Sequence, residues 1–597
     1  MDHIKEPKLA GAVSRRVLYL SLQALINAMV IGAVAKGLVM LINLITNLSF
    51  YGEFTFAEKG PAGNHLGWYV VLIPVAGSLL VGVMARFGSK AIRGHGIPEA
   101  MENIILNESK IPPIITLLKP LSAALSIGTG GPFGAEGPII ATGGAIGSFT
   151  GQVIHISSAE RKVLLAAGAC AGMAAIFGSP LAAILLAIEL LLFEFSPRSV
   201  IPVAIACVTG AGMHLLFFGN EPVFAMPAIP AVSDVALITY VLMGAAIGVV
   251  AALVSKSVYL VEDLFEKLPI HWMWWPALGA VVVGVIGYYA PHTMGVGYDN
   301  IKDLLTGNLS MALIISLCVL KYLSWVISLG SGTSGGTLAP LFTIGGAFGA
   351  LMGVYVLKIF PGSDINIATA ALIGMAAMFA GSSRALLTAI VFAMETTGQP
   401  HGLLPLIGAC TTAYFVSFFL MKGTIMTERI RRRGIIAPDE YTPDVMQQIS
   451  VSTVAVQPML LLLDSMTLGQ VNMLLDNYAY YHRQMVVTDA AGHFKGYLSR
   501  DKLSGVETAT VESVQDHTSP FVYAGDDITT VAALFNKYSN DVLAVVDKDK
   551  VTGLVTADAV LREYGMRRTT EARYHSAFFG NTRLLRLMAR GKKLLVR

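Results

Sequence analysis

The chain has 597 residues, of which 54% are hydrophobic and only 14% are charged, and its mean hydropathy is +0.64. Because soluble globular proteins carry about 25% charged residues, this composition excludes a soluble enzyme, a disordered protein and a protein that coats nucleic acid. The formal net charge of +3 indicates no acidic partner. We therefore predict a protein that crosses a lipid bilayer several times and has no nucleic-acid partner.

In chain order, charge density divides the chain into two parts: long apolar runs from about residue 16 to 420, and a sequence typical of soluble protein after residue 427. A short segment, residues 1–15, precedes the first run, and residues 567–597 form a basic tail. Lysine and arginine beside membrane spans tend to stay in the cytoplasm, so we expect both termini on the cytoplasmic side of a cell (inner) membrane. No signal peptide is predicted. The flanking basic residues are Lys5, Lys8, Arg15 and Arg16, and then Arg429, Arg431, Arg432 and Arg433.

The apolar runs have unequal lengths. Residues 17–46 and 235–268 exceed the roughly 20 residues that a bilayer requires, which predicts tilted helices. Residues 137–150 and 180–193 are too short to cross. Short helices persist at membrane depth only where protein buries their ends or where they line a cavity. Such segments, interrupted by glycine and proline in matching places of two halves, indicate a transport site.

Two halves of the apolar segment resemble each other. Residues 172–177 (GMAAIF) are echoed by residues 374–379 (GMAAMF), and a proline stands 34 residues before each glycine, at Pro138 and Pro340. Each half then continues through an apolar stretch to one acid, Glu189 or Glu395. Chance similarity between helices rich in glycine and alanine is the alternative. The shared interval favours a duplicated architecture.

Three glycine-rich turns each end in a proline: residues 94–98 (GHGIP), 134–138 (GAEGP) and 336–340 (GTLAP). Glycine lets the backbone bend tightly and approach a ligand, and proline fits the first turn of a helix, where its missing N–H costs nothing. The result is a helix N-terminus with free N–H groups and a partial positive charge, which suits an anion. One such turn alone would indicate a helix break for packing. Three in one membrane segment predict convergence on an anion.

These three motifs, in this order, resemble the selectivity-filter motifs of the CLC family of chloride channels and chloride/proton antiporters. The resemblance extends over residues 16–433, and residues 441–566 resemble the paired CBS domains that many CLC proteins carry. It implies an all-α polytopic membrane domain, built as an inverted repeat with broken helices, followed by an α/β cytoplasmic CBS pair. It also implies a homodimer in which each subunit holds its own pore.

The resemblance assigns roles to individual residues. Glu136 matches the gating glutamate, whose carboxylate competes with chloride for N–H donors until it swings away or is protonated, and an acid in an apolar stretch is functional by default. Lys119 matches a lysine that contributes positive potential near the pathway. A carboxylate occupied by structural hydrogen bonds and a packing lysine are the alternatives. The implied anion-binding positions are His95, Gly96, Ile97, Gly134, Gly137, Thr337, Leu338 and Met426.

Several of these positions depart from the family pattern. His95 stands where the family has a serine, Leu338 where it usually has phenylalanine, and Ala135 where a basic residue is usual. Met426, or by a second alignment Ile425, occupies the place of the tyrosine that coordinates the central anion, and neither side chain has a hydroxyl. These departures leave the anion pathway intact but affect selectivity and gating.

Chloride transport is therefore the predicted function, with other halides or nitrate as further candidate ions. Leu190 occupies the place of the family's inner, proton-relaying glutamate and cannot ionise. A passive chloride channel is for this reason favoured over the alternative, a chloride/proton antiporter. A CBS-containing divalent cation transporter would need acids along its pore, and this membrane segment is poor in them.

No enzymatic activity, metal site or required cofactor is predicted. Ser334 lies in a sequence that fits the nucleophile elbow of hydrolases, but the elbow needs a preceding strand of a soluble sheet. The acids and histidines of the membrane segment lack metal-binding spacing. The cysteines show no Cys-X-X-Cys pattern, so they are expected to be small buried apolar residues; they are Cys170, Cys207, Cys318 and Cys410.

The soluble segment repeats one pattern twice. Strands predicted at residues 484–487 and 542–546 are each followed by a similar turn. In CBS pairs a serine or threonine and an aspartate of this turn hold the ribose of an adenine nucleotide, at a usual spacing of three residues. The spacing here is two in both units, which favours a structural role that braces the dimer over nucleotide binding. The residues concerned are Ser499 and Asp501, and Thr556 and Asp558.

The basic tail alternates with leucines and predicts either a segment on the inner membrane surface or a solvated tail. Its cations are Arg583, Arg586, Arg590, Lys592 and Lys593.

Overall fold

The structure is a computed structural model, and it describes residues 9–435 except 155, 231 and 308, and residues 449–566 except 457–459, 478–481, 505 and 517–519. Its contacts divide the chain into two units, Met1–Tyr441 and Thr442–Arg597. Lys5 and Lys8 of the N-terminal cluster and all of the basic tail lie outside the described residues. The first helix begins at Leu9, so part of the predicted segment 1–15 is helical.

The first unit contains seventeen α-helices among its described residues, and eight helices are long and apolar enough to cross a membrane. The helices are α1 Leu9–Tyr51, α2 Leu72–Phe87, α3 Ile97–Leu106, α4 Ile115–Gly128, α5 Glu136–Val153, α6 Ser158–Phe177, α7 Pro180–Leu186, α8 Pro197–Phe218, α9 Asp234–Glu266, α10 Trp275–Tyr289, α11 Tyr298–Thr306, α12 Met311–Gly330, α13 Leu338–Ile359, α14 Ile367–Ser383, α15 Leu386–Thr397, α16 Leu403–Leu420 and α17 Glu428–Arg432.

Helix lengths follow the apolar runs of the sequence. Helices α1 and α9 have 43 and 33 residues, well beyond the roughly 20 that span a bilayer. Helices α7 and α15 have only 7 and 12 residues, and α7 continues into a π-helical turn at Ala187–Leu192. The predicted long spans and the short helix at residues 180–193 are confirmed.

The first unit is an all-α inverted repeat, as predicted. Helix α6 packs against α5 and α8 in the first half, and α14 packs against α13 and α16 in the second. Matching glycines allow this close packing, because a Cβ on Gly143 would collide with the carbonyl of Gly168, and a Cβ on Gly345 with that of Gly374. The short helices α7 and α15 pack against each other and join the two halves.

The second unit is α/β and contains two similar three-stranded sheets. Strands β1 Leu462–Leu463, β2 Gln484–Thr488 and β3 Phe494–Ser499 form one sheet, and strands β4 Val522–Tyr523, β5 Val542–Asp547 and β6 Lys550–Thr556 form the other. In each sheet the first strand runs parallel to the second, and the third runs antiparallel to it. Helices Leu468–Asn477 and Ile528–Tyr538 connect the first two strands of each sheet. The predicted strands at residues 484–487 and 542–546 are confirmed as β2 and β5.

Candidate functional site

The three glycine-rich turns meet in the interior of the first unit. The Gly94 N–H donates to the carbonyl of Thr333 over 3.0 Å, and the Gly336 N–H donates to the carbonyl of Gly134 over 3.1 Å. The turns before α3, α5 and α13 are therefore bonded to one another. Because the first N–H groups of a helix have no partner within that helix, three N-termini that meet in this way concentrate positive potential.

Glycine is required at this junction by the closeness of the backbones. A Cβ on Gly96 would collide with the carbonyl of Gly137, and a Cβ on Gly137 with the carbonyl of His95. Gly96 also has a φ of +99°, which disfavours any side chain. The predicted residues of the first two motifs therefore lie together. Thr337 and Leu338, at the start of α13, complete the cluster and are buried.

The Gly96 N–H already donates a hydrogen bond to a side chain of the protein. It donates to Glu99 Oε2 over 2.6 Å, and Glu99 Oε1 in turn accepts from Arg429 Nη1 over 2.8 Å. Gly96 also provides space for the crossing backbones. The acid three residues further along the chain thus caps this turn, and the anion-binding role of Gly96 stays a prediction.

Glu136 is the first residue of α5, and its side chain is 0% exposed. Carboxylate oxygen Oε1 accepts a hydrogen bond of 2.8 Å from the hydroxyl of Tyr298. Oε2 is buried with no hydrogen-bond partner among the described residues. The backbone N–H of Ala339, in the first turn of α13, and the ammonium of Lys321 also act on this carboxylate. An acid thus lies at the meeting point of the helix N-termini, where it can compete with an anion for their N–H groups.

Sequence reasoning missed Tyr298, which lies in a fourth glycine turn. This turn is the counterpart of GHGIP in the second half, because Gly295, Gly297 and Tyr298 lie 201 residues after Gly94, Gly96 and Ile97, respectively. It lacks the closing proline, since Asp299 follows the tyrosine. A search at the repeat interval, rather than for Gly-Pro signatures, would have found it.

Two buried lysines hold the paired glycine turns. Lys119 Nζ donates to the carbonyls of Ile92 and Gly94 over 2.8 and 3.0 Å. Lys321, 202 residues later, donates from Nζ to the carbonyls of Thr293 and Gly295 over the same two distances. Lys119 therefore both fixes the turn and brings a cation close to it. The sequence analysis missed Lys321, although the repeat interval marks it.

His95 lies between the junction and a cavity of about 220 Å³. Its side chain is buried, and Nδ1 has no hydrogen-bond partner among the described residues. The charged groups that act on it are Glu99, Arg429 and Lys119. The Nδ1 atom is thus a buried polar atom at a position that lines this cavity. The cavity is also lined by Arg93, Tyr259, Glu262, Glu266, Trp272, Trp275 and Arg429.

The two candidates for the tyrosine position offer no hydrogen-bond donor to an anion. The Met426 N–H donates to Thr424 Oγ1 over 3.2 Å, and the Ile425 N–H donates to the carbonyl of Ser382 over 3.0 Å. A thioether has no hydrogen to donate. Met426 is therefore placed as a buried apolar residue, and its predicted anion-binding role has no polar group to support it. Leu190 is buried in the π-helical turn after α7.

The two acids that end the repeats cap each other's short helices. Glu189 accepts from the N–H groups of Leu387 and Thr388 over 3.0 and 2.9 Å at the start of α15. Glu395 accepts from the N–H groups of Leu181 and Ala182 over 3.0 and 2.8 Å at the start of α7. Glu189 is therefore occupied by a structural contact, although it neighbours the relay position of Leu190.

The candidate nucleotide positions of the second unit lie at the ends of β3 and β6. Asp501 Oδ2 accepts from Arg483 Nη2 over 2.9 Å and from Ser499 Oγ over 3.5 Å. Asp558 is paired with Arg562 over 2.7 Å. Thr556 Oγ1 accepts from the N–H of Ala559 over 3.1 Å.

Comparisons with known proteins agree with this architecture. The family model for the voltage-gated chloride channel matches residues 76–418, and the CBS domain model matches residues 511–565. The H(+)/Cl(−) exchange transporter ClcA of Vibrio campbellii is 30% identical over 448 residues, which cover 72% of this chain and 94% of the relative.

Two solved structures share the fold. A slow cyanobacterial Cl−/H+ antiporter has a TM-score of 0.63 at 24% identity and covers 70% of this chain and 98% of its own. A eukaryotic CLC transporter has a TM-score of 0.56 at 21% identity and covers 92% of this chain and 98% of its own.

Proposed function

The chain belongs to the CLC family of chloride channels and transporters, and from this premise we propose that it exchanges chloride for protons through its membrane unit. Anion transport is the activity common to the family. Coupling to protons is the finer assignment, and it rests on one residue, Glu136.

The observation that carries the proposal is the position of the Glu136 carboxylate. It is buried at the junction of three glycine turns, beside the N-termini of α5 and α13. When charged, it occupies the place of a halide and is stabilised by the same N–H groups. When protonated, it no longer competes, and chloride can enter. Each proton that binds to Glu136 is thereby tied to the movement of chloride.

Exchange, rather than a passive channel, is supported by the named relative. A protein that is 30% identical over 72% of this chain is named an exchange transporter. Leu190, at the position of the inner glutamate, is the feature that favours a passive channel. The cavity beside His95 offers other titratable groups, Glu262 and Glu266, as a route for protons that avoids Leu190.

We also propose an oligomeric state, a membrane, an orientation of the termini and further candidate ions. We place it as a homodimer in the inner membrane with cytoplasmic termini, supported by the family architecture and by the arginines of α17. Other halides and nitrate are further candidate ions, because helix N-termini recognise negative charge rather than one particular anion.

The proposal is tested in liposomes that hold the purified protein and a chloride gradient as the sole driving force. We expect protons to move uphill, against their own gradient. Glu136→Gln should abolish proton movement while chloride still flows, faster and with little dependence on pH. Glu194→Gln is the matched control, because it removes a half-exposed carboxylate that pairs with Lys162 away from the junction.

The contrary result is chloride flux without proton movement in the wild type. It would assign the protein to the second candidate function, a passive chloride channel, which the apolar residue at Leu190 favours. A Glu136→Gln variant that retains the wild-type pH profile of chloride flux would remove Glu136 from the mechanism altogether.

A further inference from the structure

Tyr298 provides a side-chain hydrogen bond to the Glu136 carboxylate. The hydroxyl lies 2.8 Å from Oε1, and it comes from the second half of the repeat, at the first residue of α11. The acid itself begins α5 of the first half. The contact therefore joins the two halves at the acid that the proposed function makes the gate.

We propose that Tyr298 is a positioning residue that latches Glu136 in its charged, blocking position. The inference rests on the proposed role of Glu136 as the gate and adds the group that sets how readily the gate opens. A phenol that donates to a carboxylate makes a charge-assisted hydrogen bond, which is roughly twice as strong as a bond to the neutral acid. Tyr298 thus favours the carboxylate over the carboxylic acid.

The surroundings of Tyr298 hold its hydroxyl in place. Its ring packs against Phe177 and Phe224, with centroid separations of 6.0 and 5.7 Å, and these two rings also contact each other. The preceding turn uses left-handed glycines at Gly295 and Gly297, with φ of +68° and +77°. Lys321 binds the carbonyls of Thr293 and Gly295 in that same turn. The phenol is therefore supported by packing, by backbone conformation and by a buried cation.

Few other charged groups act on this contact. Lys321 from α12 acts on Glu136. Glu58, from the segment between α1 and α2, acts on Tyr298. From α13, it is the backbone N–H of Ala339 that acts on the carboxylate. Lys321 is present in every variant below. A change in chloride flux when the Tyr298 hydroxyl is removed therefore reports on that hydroxyl.

The counterpart of Tyr298 in the first half is Ile97, which has no polar atom in its side chain. The latch is thus a feature of one half only, although both turns are built alike.

The test measures chloride flux as a function of pH in liposomes. Tyr298→Phe removes the hydroxyl and keeps the ring, so the gate should open at a higher pH, with the midpoint of acid activation raised by about one pH unit. Tyr240→Phe is the matched control. The hydroxyl of Tyr240 is also buried and accepts a hydrogen bond from the N–H of Asn366 over 3.0 Å. Neither residue belongs to the glycine turns of the junction. The midpoint of Tyr240→Phe should stay at the wild-type value.

A double variant separates latching from a structural effect. Added to Glu136→Gln, Tyr298→Phe should leave both the flux and its flat pH profile unchanged, because there is no charged gate to hold. Equal changes of flux in both backgrounds, or an unchanged midpoint in Tyr298→Phe, would overturn the proposal. If Glu136→Gln alone retains the wild-type pH profile, the proposed function fails first and independently.

A measurement on the wild type keeps the proposal testable should Tyr298→Phe fail to fold. Infrared spectra of tyrosine-labelled protein, recorded across the pH titration, should contain a phenol C–O band that shifts at the same midpoint as the flux. The band shift should be missing from Glu136→Gln. A tyrosine spectrum that is indifferent to pH in the wild type, or that shifts equally in Glu136→Gln, would contradict the latch.

Discussion

At the scale of single residues, His95 is the departure from the family pattern with the clearest chemical consequence. Its Nδ1 atom is buried without a hydrogen-bond partner among the described residues, and the cations Lys119 and Arg429 act on the ring while Glu99 opposes them. A neutral imidazole can donate one hydrogen bond to an anion.

We therefore predict that His95→Leu weakens chloride binding about fivefold to tenfold, which corresponds to one lost hydrogen bond of about 1 kcal/mol. His95→Ser restores a hydroxyl donor and should retain most of the affinity. Calorimetric titration of chloride into the detergent-solubilised protein measures both values. Equal affinities in His95→Leu and the wild type would show that the ring faces away from the ion.

The sequence predicts the acids and glycines of this junction better than their partners. Glu136 stands out because an acid in an apolar run is unusual, and its Gly-Pro frame marks a helix start. Tyr298 and Lys321 carry only the weaker signal of the repeat interval, which marks their positions but not their contacts. Only the three-dimensional contact across the two halves reveals that they act on Glu136 and its turn.

At the scale of elements, the short helices α7 and α15 depend on acids from one another's half. A carboxylate at a helix N-terminus satisfies free N–H groups and interacts favourably with the helix dipole. Glu189 and Glu395 do this reciprocally, each at the second and third residues of the other's helix. The sequence revealed both acids as the ends of the repeats, but not their crossed pairing, because periodicity within a half says nothing about contacts between halves.

Neutralising either cap should destabilise the membrane unit. We expect Glu189→Gln and Glu395→Gln each to cost about 1 kcal/mol and to lower the melting temperature in detergent. Glu194→Gln should leave it nearly unchanged, because half-exposed ion pairs contribute little. A Glu189→Gln variant with unaltered melting but slower proton transport would instead assign Glu189 to the proton route.

At the scale of the whole molecule, the chain combines a membrane unit with a soluble unit of two matching sheets. In the soluble unit, the Arg483 guanidinium beside Asp501 lowers the pKa of that carboxyl, so Asp501 stays charged and paired near neutral pH. Asp558 is likewise paired with Arg562. Each aspartate therefore already has an arginine partner, and its spacing of two residues from Ser499 or Thr556 departs from the usual three.

For this reason we predict no saturable binding of adenine nucleotides to the full-length protein at micromolar concentrations. Equilibrium binding of fluorescent ATP and AMP measures it, with Asp501→Asn and Asp558→Asn as paired variants. Binding that either substitution abolishes would contradict the prediction and assign the turns after β3 and β6 to a nucleotide site.

The sequence predicts the fold of the whole chain more completely than it predicts whether chloride transport is coupled to protons. The helix lengths, the duplication and the α/β second unit all follow from apolar runs and repeat spacing. The choice between channel and exchanger does not, because the sequence analysis tied the proton route to the single position of Leu190. Protons can use any connected set of titratable groups and water, and Glu262 and Glu266, which line the His95 cavity, are the candidates for the proposed route.

The central claim, that chloride movement is tied to protons through Glu136, is tested most directly by the reversal potential of the reconstituted protein. Chloride is held at equal concentration on both sides of a planar bilayer while a pH gradient is imposed. The account predicts a reversal potential that shifts away from zero with the pH gradient, and a return to zero in Glu136→Gln. A wild-type reversal potential that stays at zero whatever the pH gradient would contradict it.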